Sequence, residues 1–508
     1  MKKYVTWMLL AAMMLATACG SGAGTADTTA ADASGDTTAA KTTGEIARED
    51  TPDSLPADLD FKGQKVRIIY NDAGLASSGA AVNEIEGLEN AGDIVNDAVF
   101  QRNIKVEERL NIEFEMIANK LSAYEHTNAT QKIILAGDDL YDIICGVQFR
   151  HAIHALEGLY YDLSDAPYLD YTQPWWQDSY MDTISIHNDV RYLLMGDISM
   201  SMISNMSAMF YNRNLYEDNF GDADDLYDTV LNGKWTMDAM RKLVADVYQD
   251  VNGDTIANPG DIFGTGITNS SPTEHFFYCM GFKVTGRDKE GYPQLLADQS
   301  RNVEIAEALY ELMWETEGVY FAKDVNEINS VIPEEFSNGN TLFFPARLSY
   351  ATTKLRDMKD DYGIIPHPKL NEEQKDYVTL VHDAANAYVI PVTCPEIDAA
   401  CAALEAMCAE NYRTVTPAYY EVALKVKYTR DDLSAQILDL IRNGASTDFM
   451  YVNNYVFSGV TLGTISRVLA GNTGKEPTAD YMSTYDSMKT TVEAQLKDII
   501  EEQKALIG

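Results

Sequence analysis

"QKIILAGDDLYDIICGVQFR", residues 131–150, is the stretch on which the fold turns. It reads as a short helix, a polar break, and a strand ending at Cys145. Upstream, "KVRIIY" (65–70) is a β-rich run just after a glycine and reads as the first core strand. "DIVNDAVFQRNIKVEERL" (93–110) is helical, and "NIEFEMI" (111–117) is a second strand. Strand, helix, strand, helix, strand is the α/β pattern, with a parallel sheet and right-handed crossovers.

The pattern then restarts. "SAMFYN" (207–212) is strand-like. In "WTMDAMRKLVADVYQD" (235–250), Met240, Leu243, Val244 and Val247 share one helical face, and Thr236 suits the N-cap. "EIAEALYELMWET" (304–316) is a further helix; "TLFFPARL" (341–348) and "YGIIPHP" (362–368) are extended. "TCPEIDAACAALEAMCAEN" (393–411) opens with Thr393 and Glu396 at capping-box spacing. Its Ile397, Ala400, Cys401, Leu404, Met407 and Cys408 form one stripe, which makes the two cysteines small core residues. A chain of 508 residues is too long for one compact core and implies two lobes.

The N-terminus sets the compartment. Lys2 and Lys3 precede an apolar run, Val5 to Leu15, and small residues lead to Cys19. This is the layout of a secretory signal, short for a membrane span. "LATAC" resembles a bacterial lipobox, with Leu15 one place further from Cys19 than is usual; residues 1–18 are then the signal and Cys19 the acylated (palmitate-bearing) first residue. The segment 20–57 has no aromatic residue and reads as a disordered tether, so the folded region starts near 58. The formal charge of −39 excludes nucleic acid and anionic membrane surfaces as partners, leaving the lipid anchor as the membrane contact. Five further cysteines, Cys145, Cys279, Cys394, Cys401 and Cys408, show no zinc spacing and make a disulfide framework improbable.

The order of landmarks resembles the extracellular solute-binding proteins of ABC importers, of the maltose-binding type. The landmarks are "KVRIIYND" (65–72), "YDIICGVQFR" (141–150), "GLYYDLSDAPYLD" (158–170), "FYNRNLYEDN" (210–219), "GKWTMDAMRKLV" (233–244), "EEFSNGNTLFF" (334–344), "YGIIPHPKLNEEQKDYVT" (362–379) and "AYVIPVTCPEIDAACAALEAM" (387–407). The resemblance implies an α/β, two-lobed periplasmic-binding-protein-like fold of type II, with a ligand cleft between the lobes and a hinge of crossing segments. It places the crossings near 198–206, 380–386 and 430–445. One lobe is then 58–200 plus 384–435, and the other 201–383 plus 436–508. It also implies a monomer outside the cell membrane, with permease subunits as partners and a carbohydrate as ligand.

The aromatic content fits such a ligand. "LYYDLSDAPYLDYTQPWWQDSY" (159–180) is dense in Tyr and Trp, including Trp175 and Trp176. Apolar sugar faces pack on rings, while hydroxyls need Asp, Asn, Gln and Arg partners. By the resemblance, Gln148, Phe149 and Arg150 line the cleft; Asn205, Arg347, Asp383, Asn386, Asn454 and Tyr455 are further candidates. There is no H-E-x-x-H and no G-x-S-x-G. His151, His154 and Glu157 share a helix face that suits a metal less well than a capped surface. No carboxylate pair stands out, so no catalytic residue is assigned. A secreted glycan-degrading enzyme and a calcium-dependent surface glycan-binding protein stay open as alternatives.

"DVNGDTIANPGD" (250–261) reads as a calcium loop. Asp250, Asn252 and Asp254 fit positions one, three and five; the Ile256 carbonyl fits seven; Asn258 fits nine; Asp261 fits twelve. It resembles dockerin-type loops, with Thr255 where Gly is usual. Its place between a helix and "IFGTGITN" (262–269) makes the ion structural, clear of the ligand.

Overall fold

The computed structural model describes residues 47–72, 82–89, 92–268, 271–322, 325–425, 432–457, 469 and 476–507. Cys19 and the signal-like segment lie outside the described residues. No helix among the described residues is long and apolar enough to cross a membrane. The strands, in chain order, are β1 Gln64–Asn71, β2 Ile112–Asn119, β3 Ile143–Val147, β4 Ser207–Asn212, β5 Phe263–Ile267, β6 Thr285–Arg287, β7 Pro293–Leu295, β8 Val319–Phe321, β9 Thr341–Arg347, β10 Tyr362–Ile365, β11 Thr379–Leu380, β12 Asn386–Val389 and β13 Ala445–Ser446.

Two sheets carry the fold. The first has the order β12-β3-β1-β2. β1 pairs in parallel with β2 and β3, setting Ile68 opposite both Met116 and Ile143. Val66, Ile68, Ile69, Ile143 and Ile144 are all buried, as a parallel sheet covered on both faces requires. The crossover from β1 to β2 ends in the helix Ile94–Leu110, whose N-cap Asp93 accepts from the Asn96 amide. β12 returns from late in the sequence and closes the edge antiparallel to β3. The second sheet has the order β10-β4-β9-β5-β8. β4 is antiparallel to both its neighbours, whereas β5 is parallel to β9 and β8.

The strand and helix expectations hold in place and type, with four corrections. β3 runs on to Val147 rather than ending at Cys145. The helix Ile397–Glu410 has Glu396 at its N-cap and no side-chain cap bond, so the Thr393–Glu396 capping box does not form. That helix is buried from Ala399 to Glu410 on every side, not along one stripe, because it packs among β1, the helix Ile94–Leu110 and the chain before β1. That leading chain is the fourth correction. Residues 47–57 are docked rather than tether: Ser54 donates to Glu405 (2.6 Å), Arg413 donates to the Thr51 carbonyl (2.9 Å), and Leu55 is buried. The segment holds few apolar residues, and what docks it is polar contact, which composition does not register.

The chain passes between the sheets along two antiparallel segments. Leu194 bridges Tyr388 and Met206 bridges Val381. Between them Asn386 N–H donates to Ser201 Oγ (2.8 Å), and Ser199 Oγ donates to the Asn386 carbonyl (2.6 Å). A third strand, β13, lies parallel to β11 after the helix Asp432–Asn443. Gly196 starts the first pass; a Cβ there would stand 2.3 Å from the Trp175 carbonyl oxygen, so only glycine fits. One residue on, Asp197 is 1% exposed. Its carboxylate takes Arg442 from the helix Asp432–Asn443 through Nε (3.1 Å) and Nη2, and Arg48 at 3.4 Å. Arg442 Nη2 also donates to the Pro174 carbonyl (3.1 Å), and Arg48 lies 4.2 Å from the centre of the Tyr412 ring.

Removing one partner of a buried ion pair leaves the other charge unpaired, a loss of about 3–5 kcal/mol. Asp197→Ala therefore strands Arg442, and the urea midpoint of the chain should fall by an amount equivalent to about 3 kcal/mol or more. Arg48→Ala, which removes a longer and partly solvated contact, should cost about 1 kcal/mol or less.

Candidate functional site

Val147 closes β3 and is at once the N-cap of the helix Gln148–Leu156. The carboxyl edge of a parallel sheet is where open α/β folds bind ligands. Here Ala123, Val147 and Phe149 form a small apolar cluster separate from the continuous core. Phe149 stacks on Tyr455 (5.0 Å between centroids, 25° between planes), and Tyr124 tilts against Phe149 at 5.6 Å. Tyr124 Oη donates to Tyr455 Oη at 2.7 Å. Tyr124 is 41% and Tyr455 49% exposed, so these two rings are open to solvent, whereas Phe149 beneath Tyr455 is buried. Arg150 supports it: its guanidinium lies 4.9 Å from the Tyr124 ring centre and donates to Asn128 Oδ1 (2.8 Å) and Thr127 Oγ1 (3.3 Å). The hydrogen bond with Tyr124, followed by burial, pushes the Tyr455 hydroxyl up to about 12, so it stays protonated.

The second crossing segment brings charge to this platform. His382 N–H donates to the Asn205 carbonyl (3.1 Å), and the His382 carbonyl accepts from Gln148 Nε2 (3.2 Å) and Ala385 N–H (3.0 Å). Asp383 follows, half-buried, and its charge is felt by Tyr455, Tyr451 and Glu274. Glu274, from the helix Ser271–Cys279, is raised to about 7 by burial first and by Asp383 second. On the second sheet, Arg347 at the end of β9 donates to Asn205 Oδ1 (3.0 Å) and faces the Tyr350 ring. Asn454 Oδ1 is buried with no partner among the described residues. Exposed tyrosine rings beside a carboxylate can hold a polyhydroxylated ring, by apolar C–H packing on one side and hydrogen bonds at the rim.

Of the residues expected from sequence, Phe149, Arg150, Asp383, Asn454 and Tyr455 gather here, Arg150 as support for Tyr124. Gln148 and Asn205 are fully buried and hydrogen-bonded: Gln148 Oε1 accepts from Tyr180 (2.9 Å), and Asn205 Nδ2 donates to the Ser201 carbonyl (2.8 Å). They and Asn386, also buried, fix the crossing segments rather than face a ligand. Trp175 and Trp176 are corrected more strongly. They are 0% and 4% exposed, and both indole N–H groups donate to Glu405 (3.2 and 2.8 Å), which burial raises despite these donors. No ring face is left for a sugar. Sequence reasoning missed Tyr124, Glu274 and His382. Each is a lone residue in a helix or loop, and topology alone brings it to the cleft. His151 and His154 are capped, by Tyr160 (2.7 Å) and Glu157 (3.0 Å), as a structural role requires.

The loop 250–261 is closed by a two-way bridge between Gln249 and Ile262 and leads directly into β5. Carboxylate oxygens of Asp250, Asp254 and Asp261 lie within 4.8 Å of one another, the convergence a cation would need. Asp261 is buried and accepts from the Val251 and Asn252 amides (3.0 and 3.2 Å). Asn252 Oδ1 accepts from the Asp254 amide, and Asn258 Nδ2 donates to Asp254 Oδ2 (2.7 Å) and the Ile256 carbonyl (2.8 Å). An amide N–H₂ thus bridges two oxygens expected to be ligands. Thr255 takes φ +65°, the left-handed turn that glycine supplies more easily, at about 1–2 kcal/mol.

No family model and no curated protein matches the chain. Solved structures do. UspC of M. tuberculosis is 15% identical, with a TM-score of 0.55 over 85% of this chain and 100% of that one. The cyclic α-maltosyl-1,6-maltose binding protein of Arthrobacter globiformis is 13% identical, with a TM-score of 0.56 over 86% and 100%. A cyclo/maltodextrin-binding protein complexed with maltotetraose is 11% identical, with a TM-score of 0.52 over 88% and 98%. At these identities the likeness is one of fold: the chain has the two-lobed α/β fold of these binding proteins.

The two aromatic groups should respond differently to truncation. Trp175→Ala opens a core cavity and should cost about 3–5 kcal/mol in urea unfolding. Tyr455→Ala, at an exposed platform, should cost about 1 kcal/mol or less. Equal losses would contradict the assignment of core and platform.

Proposed function

We propose that this chain is an extracytoplasmic, lipid-anchored solute-binding protein that captures a carbohydrate, an oligosaccharide by preference, between its lobes and delivers it to an ABC permease. The observation that carries the reading is the Tyr124–Phe149–Tyr455 platform beside Asp383, at the point where β3 meets the crossing segment. Two of the three fold relatives are named for oligosaccharides, which supports the same class. The mechanism is hinge closure: ligand touching both lobes stabilises the closed form, which the permease recognises. The anchor rests on Cys19 and its lipobox-like surroundings.

A panel of neutral oligosaccharides tests this by thermal shift. A ligand at about 100 times its Kd adds about 2.7 kcal/mol. The shift should vanish in Tyr455→Ala and Asp383→Asn, and scattering should show compaction with the same sugar. A protein that shifts with no member of the panel would end the carbohydrate reading. One observation favours a second reading: burial, and then the charge of Asp383, raise Glu274 to about 7, as suits a general acid near a carboxylate. Release of reducing ends from the bound sugar would decide for glycoside cleavage.

For the loop 250–261 we propose a structural calcium ion. Asp250, Asp254, Asp261, the side chains of Asn252 and Asn258, and the Ile256 carbonyl would hold it. The convergence of three carboxylates supports this. Bound calcium would offset their mutual repulsion and stabilise the second lobe by mass action. Chelation should lower the melting temperature, and the double change Asp250→Ala, Asp254→Ala should remove that sensitivity while sugar affinity at low temperature holds. Melting that ignores chelator would mark an unmetallated turn.

A further inference from the structure

We propose that His382 is a positioning residue that makes ligand capture depend on pH, by letting a proton and the ligand compete for Asp383; this rests on the reading of Asp383 as a ligand-binding carboxylate. His382 sits in the middle of the crossing segment, and its backbone is fixed by Asn205, Gln148 and Ala385. The imidazole is the part free to change role. Its Nδ1 has two neighbours at the same distance: the Ala384 N–H, a donor, at 3.1 Å, and Asp383 Oδ1, an acceptor, at 3.1 Å. One ring nitrogen accepts or donates, not both.

The two roles exclude each other. With Nδ1 unprotonated, it accepts from Ala384 N–H, and Asp383 Oδ1 is free to accept from a sugar hydroxyl. With the imidazole protonated, Nδ1–H is drawn to Asp383 in a charge-assisted bond. Ala384 N–H then loses its acceptor, and Asp383 is withdrawn from the ligand. Proton and ligand thus oppose each other through one carboxylate oxygen. Both side chains are partly open, 20% and 18% exposed, so proton and ligand reach them.

The neighbouring groups leave this equilibrium to His382. The His275 ring stands edge-on at 6.4 Å, with His367 behind it at 5.9 Å from His275. Burial holds His275 well below the usual range, helped by the charges of His367, His382 and Arg347, and takes His367 down to about 3, so burial disfavours a proton on either ring. Arg347 opposes protonation of His275, and Asp383 raises the neighbouring Glu274. Glu274 itself changes charge near pH 7, and a fair test removes it as Glu274→Gln.

Two measurements decide. In the ligand-free full chain labelled with ¹⁵N-histidine and ¹⁵N-alanine, the His382 imidazole and the Ala384 amide should shift with one shared midpoint, and Asp383→Asn should move that midpoint down. An Ala384 amide that ignores the His382 titration overturns the proposal. In the Glu274→Gln background, affinity for the best oligosaccharide of the panel should fall 10-fold or more from pH 7.5 to 5.5. With His382→Asn, whose Oδ1 can accept from Ala384 without titrating, affinity should stay within 2-fold over that range. A slope that survives His382→Asn also overturns it. If no sugar binds at any pH, the carbohydrate reading fails, and the first measurement alone decides whether His382 switches.

Discussion

The buried carboxylate of Asp197 is the constraint on which the arrangement of the two sheets depends. A desolvated carboxylate is costly unless charge and hydrogen bonds surround it. Asp197 draws Arg442 from the helix before the third crossing strand and Arg48 from the chain before β1. Its backbone carbonyl also accepts from Asn411 Nδ2 (2.7 Å). Segments about 150 and 245 residues away in sequence are thereby pinned to the residue that follows Gly196. Glu84 acts in the same way one turn further along: it accepts from Tyr388 Oη (2.7 Å) and from the Ser201 amide (2.9 Å), while Arg102 binds the carbonyls of Glu84 and Ile85. The crossing segments are therefore held on the first-lobe side by ions, and Asp383 and Arg347 sit where that rigid part ends.

Other contacts join the two sheets' surroundings away from the crossing. Arg287, at the end of β6, donates to the carbonyls of Asp182, Thr183 and Ser185, which end the helix Asp178–Ile184; a cation suits a helix C-terminus. His187 receives the Asp189 amide on Nδ1, so its Nε2–H donates to the Glu290 carbonyl (2.7 Å), and its ring packs on Tyr292 at 4.4 Å. The helix Tyr481–Ile507 starts against Gln299 and ends with Gln503 donating to the Leu156 carbonyl (2.7 Å). Any relative motion of the lobes has to work with these polar contacts. They break at less expense than apolar packing, because water replaces each hydrogen bond.

What the sequence made legible follows from which interactions are local. Hydrophobic periodicity located β1, β2, β4 and β9 and the helix Met237–Val247 with its Thr236 cap, because each is decided by residues a few places apart. The carboxyl end of β3 was legible as an edge for the same reason, whereas Phe149, Asp383 and Tyr455 were proposed only through the resemblance to solute-binding proteins. The docking of residues 47–57 was not legible, since its partners Glu405, Arg413 and Asp197 lie far along the chain. Tyr124 was missed because its partner Tyr455 is 331 residues away. Trp175 and Trp176 misled for a related reason. Their density in one segment suggested a sugar platform, but a single distant carboxylate, Glu405, takes both indole N–H groups and draws the rings into the core.

That contrast gives a way to tell structural from functional acids in so acidic a chain. Each buried structural carboxylate here is surrounded by donors from its own protein. Glu405 has two indoles, the Ser54 hydroxyl and the Asp170 amide. Asp448 has the amides of Val284, Thr285 and Met450 and the Thr285 hydroxyl. Asp197 has two guanidinium groups. A carboxylate so enclosed has most of its acceptor capacity taken by its own protein, and its removal is felt in stability. Asp383 differs: among the described residues its carboxylate meets one imidazole, and that imidazole has another partner in Ala384. Its unmet acceptor capacity lies near Tyr455, whose ring is half exposed. An unsaturated acceptor next to an apolar face needs hydroxyl donors on a C–H framework, and that need, rather than the overall negative charge, points the site toward a sugar.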